Sequence, residues 1–142
     1  GNIGNKTNLT AGEHLYVTYG VRGIRGEMED GLPAILEVGL PAYREAKKCA
    51  VSIDQCLIHT LLSIMTVAED TTILHRHDMD TLQRVQSDAK RILSQGGALT
   101  DEGLNNIYQL DKEYTDAWIS PGGSADLLAA THFLYTLEET YA

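Results

Sequence analysis

The 142-residue chain is short of cations: eleven Lys and Arg stand against twenty Asp and Glu, a formal net charge of −9 at pH 7. Capture of duplex nucleic acid or of an anionic membrane surface depends on clustered positive charge, so that balance argues against both partners. An anionic substrate would need a local basic pocket. Cysteine is also scarce. Cys49 and Cys56, the only two, lack the paired spacing of a zinc site or disulfide framework, which favours a reduced, cytoplasmic chain. A continuous helix could place both on one side. No charged-then-apolar leader opens the sequence, and the apolar run near residue 60 holds His59 and falls short of the roughly 20 residues a membrane span needs.

Other absences narrow the chemistry. No Gly-x-Ser-x-Gly elbow, Walker loop or dinucleotide fingerprint occurs, and neither cysteine has an activating neighbour, so covalent catalysis is not indicated. No stretch keeps a strand period for long, and there is no tandem repeat or low-complexity tract. What remains is all-α: one compact domain of about six or seven helices, large enough to bury roughly two thirds of its unfolded surface.

Its axis is Ser52 to Arg76, SIDQCLIHTLLSIMTVAEDTTILHR. From Ile53 to Ala68 almost every residue is apolar or small, and a helix apolar all round must be covered on all sides. Ser52 with Gln55 forms a capping box at its start, as Thr10 with Glu13 does for an earlier helix, while residues 1–9 read as a flexible segment before a domain of 10–142. Pro33 and Pro41 make residues 32–48 two short helices or one bent one. After a loop from Asp70 to Asp78, an amphipathic helix runs from Asp80 to Ser94 and closes at Gly96-Gly97. Thr100 caps the next, with Leu104, Ile107, Tyr108, Leu110 and Tyr114 as its apolar stripe. The last helix turns Leu127, Leu128, Ala130, Leu134 and Leu137 inward.

Three loops carry the polar chemistry. The first, Gly20-Val-Arg22-Gly23-Ile-Arg25-Gly26-Glu27, spaces glycines three apart around two arginines that can fork onto phosphate oxygens; on spacing alone the plainer reading, a glycine-rich turn with solvated arginines, is favoured. The second, Asp70-Thr-Thr-Ile-Leu-His75-Arg76, offers a carboxylate, an imidazole and a guanidinium that can hold a metal-bound polyphosphate or move a proton, or else Asp70 simply caps a turn. In the third, Ser120-Pro-Gly122-Gly123-Ser124-Ala-Asp126, a helix start aims amides at an anion, with a bridging Mg²⁺ reconciling phosphate with Asp126; an ordinary Ser cap explains the same residues. The adjacent His77-Asp78 pair also suggests an HD-type metal phosphohydrolase. A non-enzymatic helical oligomerisation module is a further alternative.

In this order, Tyr19-Gly-Val-Arg-Gly-Ile-Arg25-Gly-Glu27 with Gly31-Leu-Pro33, Asp70 to Arg76, and Ser120 to Ala129 resemble the triphosphoribosyl-dephospho-CoA synthase family over about residues 10–140. The resemblance implies an all-α transferase that joins ATP to 3′-dephospho-CoA with release of adenine. The product is the precursor of the prosthetic group of citrate lyase and malonate decarboxylase acyl carrier proteins. It further implies Arg22, Gly23, Arg25, Gly26, Arg76, Ser120, Gly122, Gly123 and Ser124 as phosphate or substrate ligands. Asp70 and Asp126 would be Mg²⁺ ligands or charge stabilisers, with Glu27 or His75 as the base and Asp70 also in the catalytic set. Two places depart from the family pattern: Asp-Thr-Asn is Asp70-Thr-Thr72 here, and Arg-Gly-Gly is Arg76-His77-Asp78. The family's N-terminal half has no counterpart before Thr10, so the chain is expected to be the C-terminal half, with a missing N-terminal half or a second copy as its partner.

Overall fold

The computed structural model describes residues 31–141; the Thr10 capping box, the segment 1–9 and the whole Arg22 to Glu27 loop lie outside them. Among the described residues there is no strand, and six α-helices account for most of the chain: α1 Leu40–Lys48, α2 Ile53–Met65, α3 Thr71–Arg76, α4 Met79–Ser94, α5 Asp101–Asp116 and α6 Gly122–Tyr141.

Residues 31–48 follow one helical path, with a π-turn at Ile35–Gly39 feeding directly into α1. Pro41 explains the turn. It has no N–H for the carbonyl four residues back, and the chain widens there instead, the Leu40 N–H donating to the Ile35 carbonyl.

α2 is the axis expected, but shorter. The Ser52–Gln55 capping box forms as read, with Gln55 N donating to Ser52 Oγ at 3.1 Å. The helix ends at Met65, and the supposed loop after Asp70 contains α3. Leu62 and Met65 join a core with Ile73, Leu82, Val85, Ile92 and Leu110. Ile64 joins a second core with Ile35, Leu40 and Leu127, and Cys56 a third with Tyr43 and Ala46. The hydroxyls of Thr60 and Ser63 donate to the carbonyls one turn back, which is how an apolar axis tolerates them in its buried half.

Coverage of α2 is incomplete: Ile53 is exposed, and Ile58 and Leu61 are only half-buried. The two cysteines lie on different elements, Cys49 exposed just beyond α1 and Cys56 buried in α2, so the continuous helix that would align them does not exist. Two stripe assignments also fail. Tyr108 and Leu137 are exposed.

His59 shows how α5 is fixed to α2. Its Nδ1 accepts from Ala98 N at 3.3 Å, and Gln55 Nε2 donates to Ala98 O at 3.1 Å, so the Gly97–Leu99 turn before α5 rests on α2. Burial holds the His59 imidazole below its ordinary pKa, against a weaker opposite pull from Glu45. A depressed histidine keeps the folded state proton-poor where the unfolded chain already binds a proton, so it costs stability as pH falls below about 6.5. Accordingly, the stability difference between wild type and His59→Gln, which keeps an acceptor for Ala98, should shrink or reverse between pH 7 and pH 5 in urea titrations. An unchanged difference would refute this role.

Candidate functional site

Asp70 organises the described part of the site. Its carboxylate is buried and caps two helices at once: Oδ1 accepts from Thr72 N at 3.0 Å and Ile73 N at 3.2 Å at the start of α3, and from Gly123 N at 3.0 Å in α6. Oδ2 accepts from Ser124 N at 2.8 Å and Ser124 Oγ at 2.9 Å. One side chain thereby joins the second and third polar loops. The close approach requires glycine on the far side, since a Cβ on Gly123 would meet Asp70 Oδ1 at 3.0 Å and one on Gly122 would meet Thr72 Oγ1 at 2.7 Å.

The amides expected to hold phosphate at Gly123 and Ser124 thus face an anion supplied by the chain itself. Both Asp70 oxygens are filled by N–H and O–H donors, which leaves Asp70 no position for Mg²⁺. Its observed role is the capping alternative, extended to a second helix. Ser124 is fully buried, while Asp126, one turn into α6, is half-buried.

His75 and Arg76 are exposed in the last turn of α3, where cations suit the helix dipole. Arg44, Arg84 and Arg91 all reach carboxylates. Arg76 has no ion pair or hydrogen bond among the described residues. It lines an open cleft of about 310 Å³ with Asp111, Tyr114, Trp118, Ser120 and Pro121. Of the candidates in the described region, the structure therefore brings Asp70, Gly123 and Ser124 into direct contact, and Arg76 and Ser120 to one cleft.

The cleft floor is held in place by charge. Tyr114 Oη donates to Asp88 Oδ2 at 2.7 Å, and Asp88 also pairs with Arg84 and Arg91. Burial first, then that hydrogen bond, pushes the Tyr114 phenol well above its ordinary pKa. Beside the cleft, sharing Asp111, Tyr114 and Pro121 with it, opens an apolar groove of about 130 Å³ between Ile58, Leu61 and Met65 of α2 and Ile107 and Leu110 of α5.

Trp118 is the site residue that sequence reasoning passes over. Ile119 N donates to Tyr114 O at 2.8 Å and Trp118 N to Thr115 O at 3.2 Å, the paired bonds of a Schellman ending, with Trp118 in the left-handed position that glycine usually takes. Its φ is 59° and its side chain is 80% exposed. The only sequence cue is the absence of glycine after α5. His77 Nε2 lies 2.9 Å from the Trp118 carbonyl oxygen and pins this turn to the α3–α4 junction. A non-glycine residue there costs roughly 1–2 kcal/mol, and glycine's extra freedom in the unfolded chain offsets roughly 0.5–1 of that. Trp118→Gly is expected to stabilise the fold by about 0.5–1 kcal/mol in urea unfolding; a loss would show that the indole has a packing role.

The HD-type reading finds no support in this geometry. His77 is engaged with the Trp118 carbonyl, and Asp78 caps α4, accepting from Thr81 N at 2.8 Å and Thr81 Oγ1 at 2.7 Å. Among the described residues no cluster of three or more His, Cys, Asp or Glu could hold a metal ion.

Comparison with known proteins points the same way as the loops. The sequence pattern of the ATP:dephospho-CoA triphosphoribosyl transferase family matches residues 2–142. A probable 2-(5″-triphosphoribosyl)-3′-dephosphocoenzyme-A synthase of Malonomonas rubra is 39% identical over 134 residues, 94% of this chain and 42% of the relative. The corresponding protein of Lactiplantibacillus plantarum is 40% identical over 94% of this chain and 47% of its own length. The 2-(5″-triphosphoribosyl)-3′-dephosphocoenzyme-A synthase of Klebsiella pneumoniae is 39% identical over 89% and 42%. The chain spans under half the length of these relatives. No solved structure matches it.

Proposed function

We propose that this chain, which belongs to the ATP:dephospho-CoA triphosphoribosyl transferase family, supplies nucleotide-binding parts of an enzyme that joins ATP to 3′-dephospho-CoA. In that reaction the ribose 2′-hydroxyl of dephospho-CoA attacks the anomeric carbon of the ATP ribose. The bond from that carbon to adenine breaks, and the hydroxyl proton passes to a base. Positive charge builds on the sugar while the triphosphate stays intact, so the site must grip polyphosphate and take up one proton. The observation that carries the reading is the Asp70 double cap, because it fixes two of the three family-like loops to each other and sets Arg76 beside Ser120.

Within this reading Arg76, with Arg22 and Arg25, grips phosphate, aided by the Gly23 and Gly26 backbone. Glu27 or His75 takes the proton. Asp70 acts as a positioning residue that fixes the loops, and Mg²⁺ arrives with the ATP phosphates, for which Asp126 is the remaining carboxylate candidate. No helix among the described residues is long and apolar enough to cross a membrane, and the cytoplasm, where ATP and dephospho-CoA would be met, is the location this reading proposes. The rest of the catalytic machinery comes from a further half of the protein or from a second copy.

Calorimetric titration with Mg-ATP and with dephospho-CoA tests the reading, followed by chromatographic detection of free adenine with and without the remaining part of a full-length relative. Binding of at least one nucleotide, weakened at least tenfold by Arg76→Ala, is expected; a folded sample that binds neither would refute it.

A further inference from the structure

We infer that the Trp118–Arg76 cleft and the apolar groove beside it form one composite seat for dephospho-CoA: adenine against the Trp118 indole, diphosphate at Arg76, and the pantetheine arm along α2 and α5. The inference rests on the transferase reading and assigns one of its two substrates to a surface.

Three independent features converge here. The first is Trp118 itself. A large aromatic side chain in a left-handed backbone position, with four fifths of its surface in water, gains little from packing to offset its strain. Stacking of a nucleobase would provide the missing contact, since base–aromatic stacking is sequence-tolerant and uses a face the protein leaves open. The peptide around it is rigidly held by the two Schellman bonds and by His77, so the indole stands on a fixed base.

The second is charge. Arg76 lines the same cleft and, alone among the described arginines, has no carboxylate partner, in a chain with nine more acids than bases. A guanidinium with no carboxylate partner among the described residues suits a diphosphate, onto which it can fork. Asp111, which also lines the cleft, disfavours phosphate beside its carboxylate and favours it at Arg76.

The third is the adjoining groove. Adenine and phosphate are common to ATP and dephospho-CoA, so the cleft alone does not choose between them. ATP ends at its triphosphate and has nothing to place against Ile58, Leu61, Ile107 and Leu110. Dephospho-CoA continues from the diphosphate into an arm with a gem-dimethyl group and a thioethyl end, and the groove shares a wall with the cleft, so one ligand can occupy both.

Trp118 is the sole tryptophan, which lets its fluorescence report contact directly. The 142-residue chain is titrated with dephospho-CoA, ADP, Mg-ATP and 4′-phosphopantetheine, following fluorescence and heat together. Dephospho-CoA should quench Trp118 and bind at least tenfold more tightly than ADP. Trp118→Ala should weaken it about tenfold, with Trp118→Phe recovering most of the loss. Ile58→Gln should weaken dephospho-CoA while leaving ADP unchanged. Calorimetric binding of dephospho-CoA without quenching, or with no effect of Trp118→Ala, overturns the seat and leaves the transferase reading intact. Equal affinity for ADP and dephospho-CoA, or equal quenching by Mg-ATP, overturns the assignment of the groove. Absence of any nucleotide binding by the folded chain removes both.

Discussion

Asp70→Ala is expected to lower the unfolding free energy by about 4 kcal/mol, a loss at the upper end for a single substitution. Five donors lose their acceptor together: the amides of Thr72, Ile73, Gly123 and Ser124 and the Ser124 hydroxyl. An orphaned buried donor costs roughly 1–3 kcal/mol, but those at the edge of α3 can turn to water, so the sum falls well short of five full penalties. Gly123 and Ser124 are buried and have no such escape. Asp70→Asn separates shape from charge. Its remaining oxygen can keep the three donors of Oδ1, and Ser124 Oγ can rotate to accept from the new amide, which leaves one N–H facing an N–H₂ group. About 2 kcal/mol is the expected loss. Urea unfolding measures both, and hydrogen exchange should show Thr72, Ile73, Gly123 and Ser124 losing protection ahead of the α2 and α4 core. A variant as stable as wild type would mean that the two loops are held by packing alone.

Gly103→Ala should cost about 3 kcal/mol, the upper end of overpacking effects. In an open helix the same change would stabilise by about 1 kcal/mol, because alanine is the better helix former. Here sterics decide the sign. A Cβ on Gly103 would collide with the Gly97 carbonyl oxygen, and that atom is backbone and cannot rotate aside. Gly97 has no room to retreat either, since its own Cα faces His59 Nδ1, where a Cβ would come within 2.5 Å. The Thr100 cap adds to the constraint, its Oγ1 accepting from Gly103 N at 3.0 Å. The substitution should therefore loosen the Gly97–Leu99 turn from α2, seen as lost protection of the Ala98 amide. Unchanged thermal stability would show that the turn yields more easily than its contacts suggest.

What the sequence disclosed follows from the range of each interaction. Ser52, Gln55 and Thr100 act within three residues, and their caps form as read. Pro41 signalled a disturbance, though not its form, because a π-turn and a kink answer the same missing N–H. Tyr108 and Leu137 fit a helical period yet face solvent, since a stripe says nothing about where neighbouring helices end. The charged segment after Asp70 hid a six-residue helix whose cap is Asp70 itself. Its second role was out of reach: the partners in α6 lie 53 and 54 residues downstream, and no local pattern announces such a bond. Trp118 escaped for a related reason, as a left-handed non-glycine residue has no signature in composition or spacing. The loop from Arg22 to Glu27 stays an expectation from sequence.

The same long span bears on when the site comes into being. We predict that the Asp70 bridge, which closes more than fifty residues of chain, forms after the rate-limiting step of folding. Truncating Asp70 should then leave the refolding rate nearly untouched and accelerate unfolding by roughly a thousandfold. The lifetime of the cleft beside Arg76 is in that sense set by how slowly one carboxylate lets go.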